Sequence, residues 1–325
     1  MKPVCSVVIR AYNEAAHIGR LLTGISQQTI QNVQIILVDS GSTDDTVEIA
    51  TRHPAVQVVK IRPEEFTFGR SLNLGVAQAE ADVVVIASAH VYPVYPDWLE
   101  RMVAAFDDPQ VGLAYGKQRG AATTQFSEHQ IFKHWFPDQS NYHQAHPFCN
   151  NANAAIRRVL WLKNAYDETL TGLEDLAWAR WAHEQGHHIA YLAEAEVIHV
   201  HQERWKNIYN RYRREGMAFK QIYPQATFTL ADLVRLWLVN VSNDFGAAGR
   251  EGQLGRQWRN ILLFRAMQFW GTYQGYNRPG ALTWKLKRTF YYPQAPDQPS
   301  PPQRSVAPIQ YGDHPERAAH KESSD

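Results

Sequence analysis

Short apolar runs alternate with polar turns through the first third of the chain, and the apolar positions switch between two periods. Val4 to Ile9 reads as a buried strand, and Ala15 to Ser26 as a helix with Ile18, Leu21, Leu22 and Ile25 on one face. Val33 to Val38 is a second strand. It ends at Asp39-Ser40-Gly41-Ser42-Thr43-Asp44-Asp45-Thr46, a turn that opens a helix over Val47 to His53. Val56 to Ile61 is a third strand, Ser71 to Ala79 a helix and Val83 to Ala87 a fourth strand. This alternation predicts an α/β fold with a mainly parallel, doubly wound sheet, in which ligands sit at the carboxyl ends of the strands. Those ends carry Tyr12-Asn13-Glu14, Asp39 and Ser88-Ala89-His90.

Farther on, the pattern predicts a helix from Trp98 to Phe106, a strand near Gly112 to Tyr115 and a loop-rich stretch from Thr123 to Cys149. Helices over Ala154 to Asn164 and Leu176 to Gln185 follow, then a late strand from Ala190 to Val200. From about Arg204 cations and aromatics intermix, and two helical patterns appear at Leu230 to Val241 and Trp258 to Tyr273. The expected organisation is an α/β domain over 1–203, a helical extension over 204–292 and a disordered tail over 293–325, rich in Pro, Gln, Ser and charge.

Composition narrows the function classes. The 325 residues include 33 Lys+Arg and 32 Asp+Glu, so a formal net charge of +1 offers no global field for nucleic acid. Two cysteines, Cys5 and Cys149, exclude a disulfide scaffold and a cysteine-based zinc site. Arg10 breaks the first apolar run, no small-residue cleavage site follows it, and no apolar stretch approaches the roughly 18–20 residues of a membrane span. A cytoplasmic protein is the expectation.

Asp39 follows an apolar strand and precedes a Ser/Gly/Thr turn, so its carboxylate could accept hydrogen bonds from a nucleobase or a ribose. A ligand-free Asx turn explains the same residues equally well. The order of the motifs adds information. Ala11-Tyr12-Asn13-Glu14, then Leu37-Val38-Asp39-Ser40-Gly41-Ser42-Thr43-Asp44, then Asn73-Leu74-Gly75, resembles the inverting family 2 glycosyltransferases of the GT-A fold, from about Cys5 to His201. The resemblance implies a Rossmann-like, mostly parallel sheet that binds a nucleoside-diphosphate sugar. It implies that Tyr12, Glu14 and Asp39 line the nucleoside pocket, with Arg70 near the base or diphosphate and Ser88 at the donor. Arg70 stands two residues before the usual family position, which Leu72 occupies.

The family's metal motif is Asp-x-Asp, and Ser88-Ala89-His90 stands in its place. A carboxylate pair suits Mg²⁺, whereas imidazole suits Mn²⁺, Zn²⁺ and related ions. His90 has three readings: ligand of a softer metal, direct partner of the diphosphate, or structural residue packed beside Tyr92 and Pro93. The first gains weight from Val197-Ile198-His199-Val200-His201, because His199 falls where the family often supplies a late metal ligand and His201 shares its strand face. The expected cofactor is a divalent cation, Mn²⁺ or Mg²⁺, held by His90 and His199.

In Thr171-Gly172-Leu173-Glu174-Asp175-Leu176 the paired carboxylates open a helix, where they complement its macrodipole. The resemblance implies a catalytic base there, Asp175, with Glu174 orienting the acceptor or the loop. Asn151 and Asn153 either bind acceptor hydroxyls or cap a turn. Gln202-Glu203-Arg204-Trp205 is loosely similar to a motif of processive polysaccharide synthases, and Trp205 is expected at the acceptor. The spacing is one residue short and no membrane helices follow, which disfavours processive synthesis.

The expected partners are a sugar-nucleotide donor and a glycan or lipid-linked acceptor. Peripheral contact with the inner face of the membrane and a homodimer are further roles for the apolar helices of the extension. The expected activity is sugar transfer with inversion in polysaccharide or glycoconjugate synthesis. A metal-independent transferase and a non-catalytic sugar-nucleotide binding module are the alternatives.

Overall fold

Eight strands join in one sheet in the computed structural model, which describes residues 2–201, 203–278 and 283–292. They are β1 (Cys5–Ala11), β2 (Val33–Asp39), β3 (Val56–Lys60), β4 (Val83–Ser88), β5 (Val91–Pro93), β6 (Val111–Gly120), β7 (Asn153–Arg157) and β8 (His188–His199), in the order β3-β2-β1-β4-β7-β6-β8-β5. The connecting helices are α1 (Ile18–Ser26), α2 (Thr46–Thr51), α3 (Phe68–Ala77), α4 (Trp98–Ala104), α5 (Phe126–Trp135), α6 (Arg158–Lys163) and α7 (Glu174–Glu184). After β8 come α8 (Trp205–Ile222), α9 (Leu230–Arg250), α10 (Leu254–Asn277) and α11 (Trp284–Phe290). The tail expected to be disordered, 293–325, lies outside the described residues.

Strand alternation explains the two-sided core. Val7, Ile9, Ile35 and Leu37 point to one face and pack with Leu21, Leu22, Trp98 and Met102 of α1 and α4. Val8, Ile36, Val84 and Ile86 point to the other and meet Leu72 and Val76 of α3 and Trp178 of α7. Each of these side chains is at most 5% exposed, and burying one fully contributes about 1.5–3 kcal/mol. β1, β2, β3 and β4 pair in parallel, as the pattern predicted.

Three departures are informative. β7 runs antiparallel to both β4 and β6, and β5 antiparallel to β8, so the sheet is mixed. The helix expected over Ala154 to Asn164 is instead strand β7 followed by α6. Ala154, Ala155 and Ile156 are buried on both faces of the sheet, and a short apolar run of this kind cannot be separated from a helix by periodicity. The stretch expected to be loop also contains α5, whose polar surface and weak periodicity hide its buried residues Phe126, Glu128 and Phe132.

The helices after β8 are bound tightly to the sheet domain. Arg265 of α10 grips Asp244 of α9 with two bonds of 2.8 and 2.9 Å, and both side chains are less than 5% exposed. Phe126 of α5 packs with Val241, Ala248 and Ile261, which closes the junction. Small residues let α10 approach α8: a Cβ on Gly275 would lie 2.3 Å from the Arg213 carbonyl oxygen. No helix among the described residues is long and apolar enough to cross a membrane.

Gly275→Val is therefore expected to destabilise the fold by about 1–3 kcal/mol through forced separation of α8 and α10. Gly249→Ala, which meets nothing within 4 Å, serves as the control and should be neutral or slightly stabilising. Denaturant titration checks both, and equal stability of the two variants would contradict the packing account.

Candidate active site

The carboxyl ends of β1, β4 and β8 surround a cavity of about 530 Å³. Arg10 and Glu14 reach it from β1, Ser88 and His90 from β4, Asn151 from the turn before β7, Glu174 and Asp175 from the start of α7, and His199 and His201 from the end of β8. α8 completes the wall with Arg211, Arg214 and Glu215.

Three imidazoles converge there. The His90 and His199 rings stack at 5.1 Å, and the His199 and His201 rings meet at 4.0 Å. Their nitrogens come within 4.8 Å of one another. Each Nδ1 bonds an oxygen at 2.7 Å: His90 to Glu14, His199 to Gln118 and His201 to Glu128. An oxygen acceptor at Nδ1 fixes the Nδ1–H tautomer and leaves the Nε2 lone pair free, the usual arrangement behind a metal-ligating histidine. The Nε2 of His199 is buried without a partner. Burial, then the neighbouring His201 and His90, pushes the His199 pKa well below its ordinary value and keeps the ring neutral.

Opposite them stands the carboxylate pair. Glu174 is buried, receives Arg10 Nη1 at 3.3 Å and holds the loop. The Asp175 carboxylate accepts the backbone N–H groups of Asn151 at 3.0 Å and of its neighbour Leu176 at 2.8 Å. Burial and the adjacent Glu174 charge nevertheless push its pKa up to about 7. The residue before the pair, Leu173, adopts a left-handed backbone (φ 55°), and Asn13 (φ 54°) is the other such non-glycine residue among those described. That conformation costs Leu173 roughly 1–2 kcal/mol. It persists because the bonds to Glu174 and Asp175 over-determine the turn.

Cations line the remaining wall. Arg211 pairs with Glu128 at 2.6 Å and Glu203 at 2.7 Å. Arg214 lies over the Phe68 ring at 4.7 Å, and its Nε is buried without a hydrogen-bond partner. Burial pushes the Glu215 pKa upward. Cys149 is inert: burial drives its thiol far above the ordinary range.

The structure brings together Asp175, Glu174, Glu14, Ser88, Asn151, His90 and His199 of the residues expected from sequence, and leaves others outside. Asn153 is spent on the fold, donating to the Lys117 and Ala195 carbonyls and accepting from Trp98, so it has no amide free for an acceptor. Asn151 positions Asp175 through its backbone N–H. Trp205 opens α8 and does not line the cavity. Arg70 pairs with Glu168 at 3.3 Å and braces the loop before α7. Tyr12 and Asp39 lie beside the cavity rather than in it: Tyr292 stands against the Tyr12 ring at 4.7 Å and bonds the Ser40 carbonyl. Asp39 also accepts the Gly41 and Ser42 N–H groups, so the Asx turn is realised. The Glu14 carboxylate is engaged with His90 Nδ1. The sequence reading did not single out Arg211, Arg214 and Glu215. The Arg-Arg-Glu run carried a signal only if α8 folds back over the sheet tips.

Residues 6–162 match the family described as glycosyl transferase family 2. The chain is 28% identical to the O-antigen chain rhamnosyltransferase RfbN of Salmonella typhimurium over 82% of its length and 83% of the relative. It is equally similar, 28% over 82% of the chain and 84% of the relative, to the O-antigen chain rhamnosyltransferase WbaN of Salmonella anatum. Among solved structures, the mannosyltransferase PcManGT of Pyrobaculum calidifontis, in complex with GDP-Man and Mn²⁺, aligns with TM-score 0.60 and 19% identity over 85% of this chain and 87% of that one. At that identity it shows the shared GT-A-like fold.

The raised pKa of Asp175 has a testable sign. A carboxyl that titrates near 4 unfolded and near 7 folded stabilises the protein below pH 4, and that contribution is lost as pH rises towards 7. Asp175→Asn should therefore raise the melting temperature relative to wild type at pH 8, with the gap closing towards pH 4. A gap independent of pH would contradict the buried-carboxyl account.

Proposed function

We propose that this chain is a family 2 glycosyltransferase, with Asp175 as its catalytic base and the three histidines as its metal site. The enzyme moves a sugar from a nucleoside-diphosphate sugar to an acceptor hydroxyl with inversion. In the proposed step the acceptor oxygen bonds to the anomeric carbon as Asp175 takes its proton, and the bond from that carbon to the diphosphate oxygen breaks with its electron pair on the diphosphate. Arg214 meets the developing charge, and the cation–aromatic contact with Phe68 keeps its guanidinium in place. The observation that carries this reading is the placement of Asp175 on the same cavity wall system as the imidazole cluster, with its pKa raised into the range a base at neutral pH needs.

The donor set fits a divalent ion of the borderline class. Three imidazoles, His90, His199 and His201, each with Nδ1 held by an oxygen, suit Mn²⁺, Co²⁺ or Zn²⁺ better than Mg²⁺, which prefers carboxylates and water. Such an ion would supply positive charge to the departing diphosphate. This refines the expectation of Mn²⁺ or Mg²⁺ in favour of Mn²⁺, and adds His201 to the ligands.

The two rhamnosyltransferase relatives support a deoxyhexose donor, a nucleoside-diphosphate rhamnose, and a glycan acceptor in the assembly of an O-antigen-type polysaccharide. Exposed Leu230, Val234 and Leu238 on α9 support peripheral contact of the extension with a membrane surface.

Three outcomes are expected. Asp175→Asn should lower kcat at least a hundredfold, and wild-type kcat/KM should fall below pH 7 rather than below pH 4. Mn²⁺ should raise the melting temperature, as ligands that bind only the native state do, while Mg²⁺ at equal concentration and His199→Ala with Mn²⁺ should not. Equal activity in chelator and in Mn²⁺ would favour the metal-independent transferase. Turnover of a nucleoside-diphosphate rhamnose should exceed that of GDP-mannose and UDP-GlcNAc, and the reverse order would remove the rhamnose assignment.

A further inference from the structure

A second cavity, of about 690 Å³, lies between α5 and the helices α8, α9 and α10. It meets the first along one wall, because Asp175, His199, His201, Arg211 and Glu215 line both. Because Asp175 lines both, a hydroxyl held in the second cavity and a donor held in the first can reach it together. In-line displacement needs this separation of donor and acceptor.

The lining indicates the ligand's chemistry. Its arginines are already paired within the protein, Arg265 with Asp244 at 2.8 Å and Arg211 with Glu128 at 2.6 Å, while Asp175 and Glu215 add acidic groups to the wall. An anionic ligand therefore finds little to neutralise it. Trp135, 43% exposed, stacks on Phe148 at 4.4 Å and 24°, a braced indole with a free surface. The Gln130 amide Nε2 is buried in the cavity wall with no hydrogen-bond partner. A braced aromatic plane and an unpartnered amide donor lining one cavity match the apolar C–H face and the hydroxyls of a sugar ring. The volume falls within the roughly 300–1,000 Å³ range of pockets that enclose ligands of a few rings.

We infer that this second cavity binds the acceptor as a neutral oligosaccharide, with Trp135 stacking on a sugar ring, Gln130 donating to a hydroxyl or ring oxygen, and the reacting hydroxyl presented to Asp175. The inference rests on the transferase reading and replaces Asn153 and Trp205 as acceptor residues. It also gives α8, α9 and α10 a role in acceptor selection.

The test uses the full chain, a nucleoside-diphosphate rhamnose as donor and a panel of fluorescently tagged neutral trisaccharides as acceptors, with Trp135→Ala and Gln130→Ala compared with wild type. Circular dichroism confirms that each variant is folded. The expected result is a rise of about tenfold or more in acceptor KM for Trp135→Ala and a smaller rise for Gln130→Ala, with donor KM moving less than about twofold. Unchanged acceptor KM in both variants, or equal rises in donor and acceptor KM, would overturn the assignment. So would quenching of wild-type tryptophan fluorescence by a sugar-free polyprenyl phosphate, lost in Trp135→Ala, because it would make the cavity a lipid site. Absence of both transfer and donor hydrolysis in wild type, with every sugar nucleotide tried, is a different failure and would sink the transferase reading itself.

Discussion

Three hydrogen bonds of 2.7 Å, each from a histidine Nδ1 to an oxygen on a separate element, hold the centre of this molecule in place. Glu14 comes from the loop after β1, Gln118 from β6 and Glu128 from α5. Their histidines come from the ends of β4 and β8. The cluster therefore exists only when the parallel half of the sheet, the mixed half and α5 are all assembled. A buried, unpartnered Nε2 on His199 would be an expense without return in a purely structural cluster, and it is intelligible if something binds there.

The same geometry ties the helices after β8 to the candidate site. Glu128 is shared between His201 and Arg211, so α8 is tied electrostatically to the imidazole cluster. Glu128 is held ionised, its pKa lowered to about 2 by Arg211 and His201 against the cost of burial. Asp175 lies under the opposite influence, with burial and Glu174 pushing it towards the neutral form. Two carboxyls that line one cavity are thus driven in opposite directions by their neighbours, one as a fixed anion and the other as a group able to accept a proton near neutrality.

Much of the parallel half was legible because its signals are local. The apolar runs of β1, β2 and β4, the Asp39 turn and the face of α1 follow from period and turn chemistry alone. β7 was not legible: Ala154, Ala155 and Ile156 become a strand because β4 and β6 flank them, a tertiary fact. In the site, His90, His199 and the Glu174-Asp175 pair could be found from spacing and resemblance. Asn153 misled because a buried amide that satisfies two carbonyls looks, in sequence, like one that awaits a sugar. Tyr12 and Asp39 stand beside the cavity, where Tyr292 packs on the Tyr12 ring and bonds the Ser40 carbonyl, a contact between distant segments that no local signal announces. Arg214 and Glu215 were hidden by their regular helical spacing, which says nothing about which face of α8 meets the sheet.

The most direct test of the central claim is electron–nuclear double resonance on Mn²⁺ added to the protein with nucleoside diphosphate, using ¹⁵N-histidine-labelled chain. The account predicts nitrogen couplings from directly bound imidazole, diminished in His199→Ala and in His90→Ala. A Mn²⁺ signal that carries phosphorus and water couplings but no histidine nitrogen would contradict it.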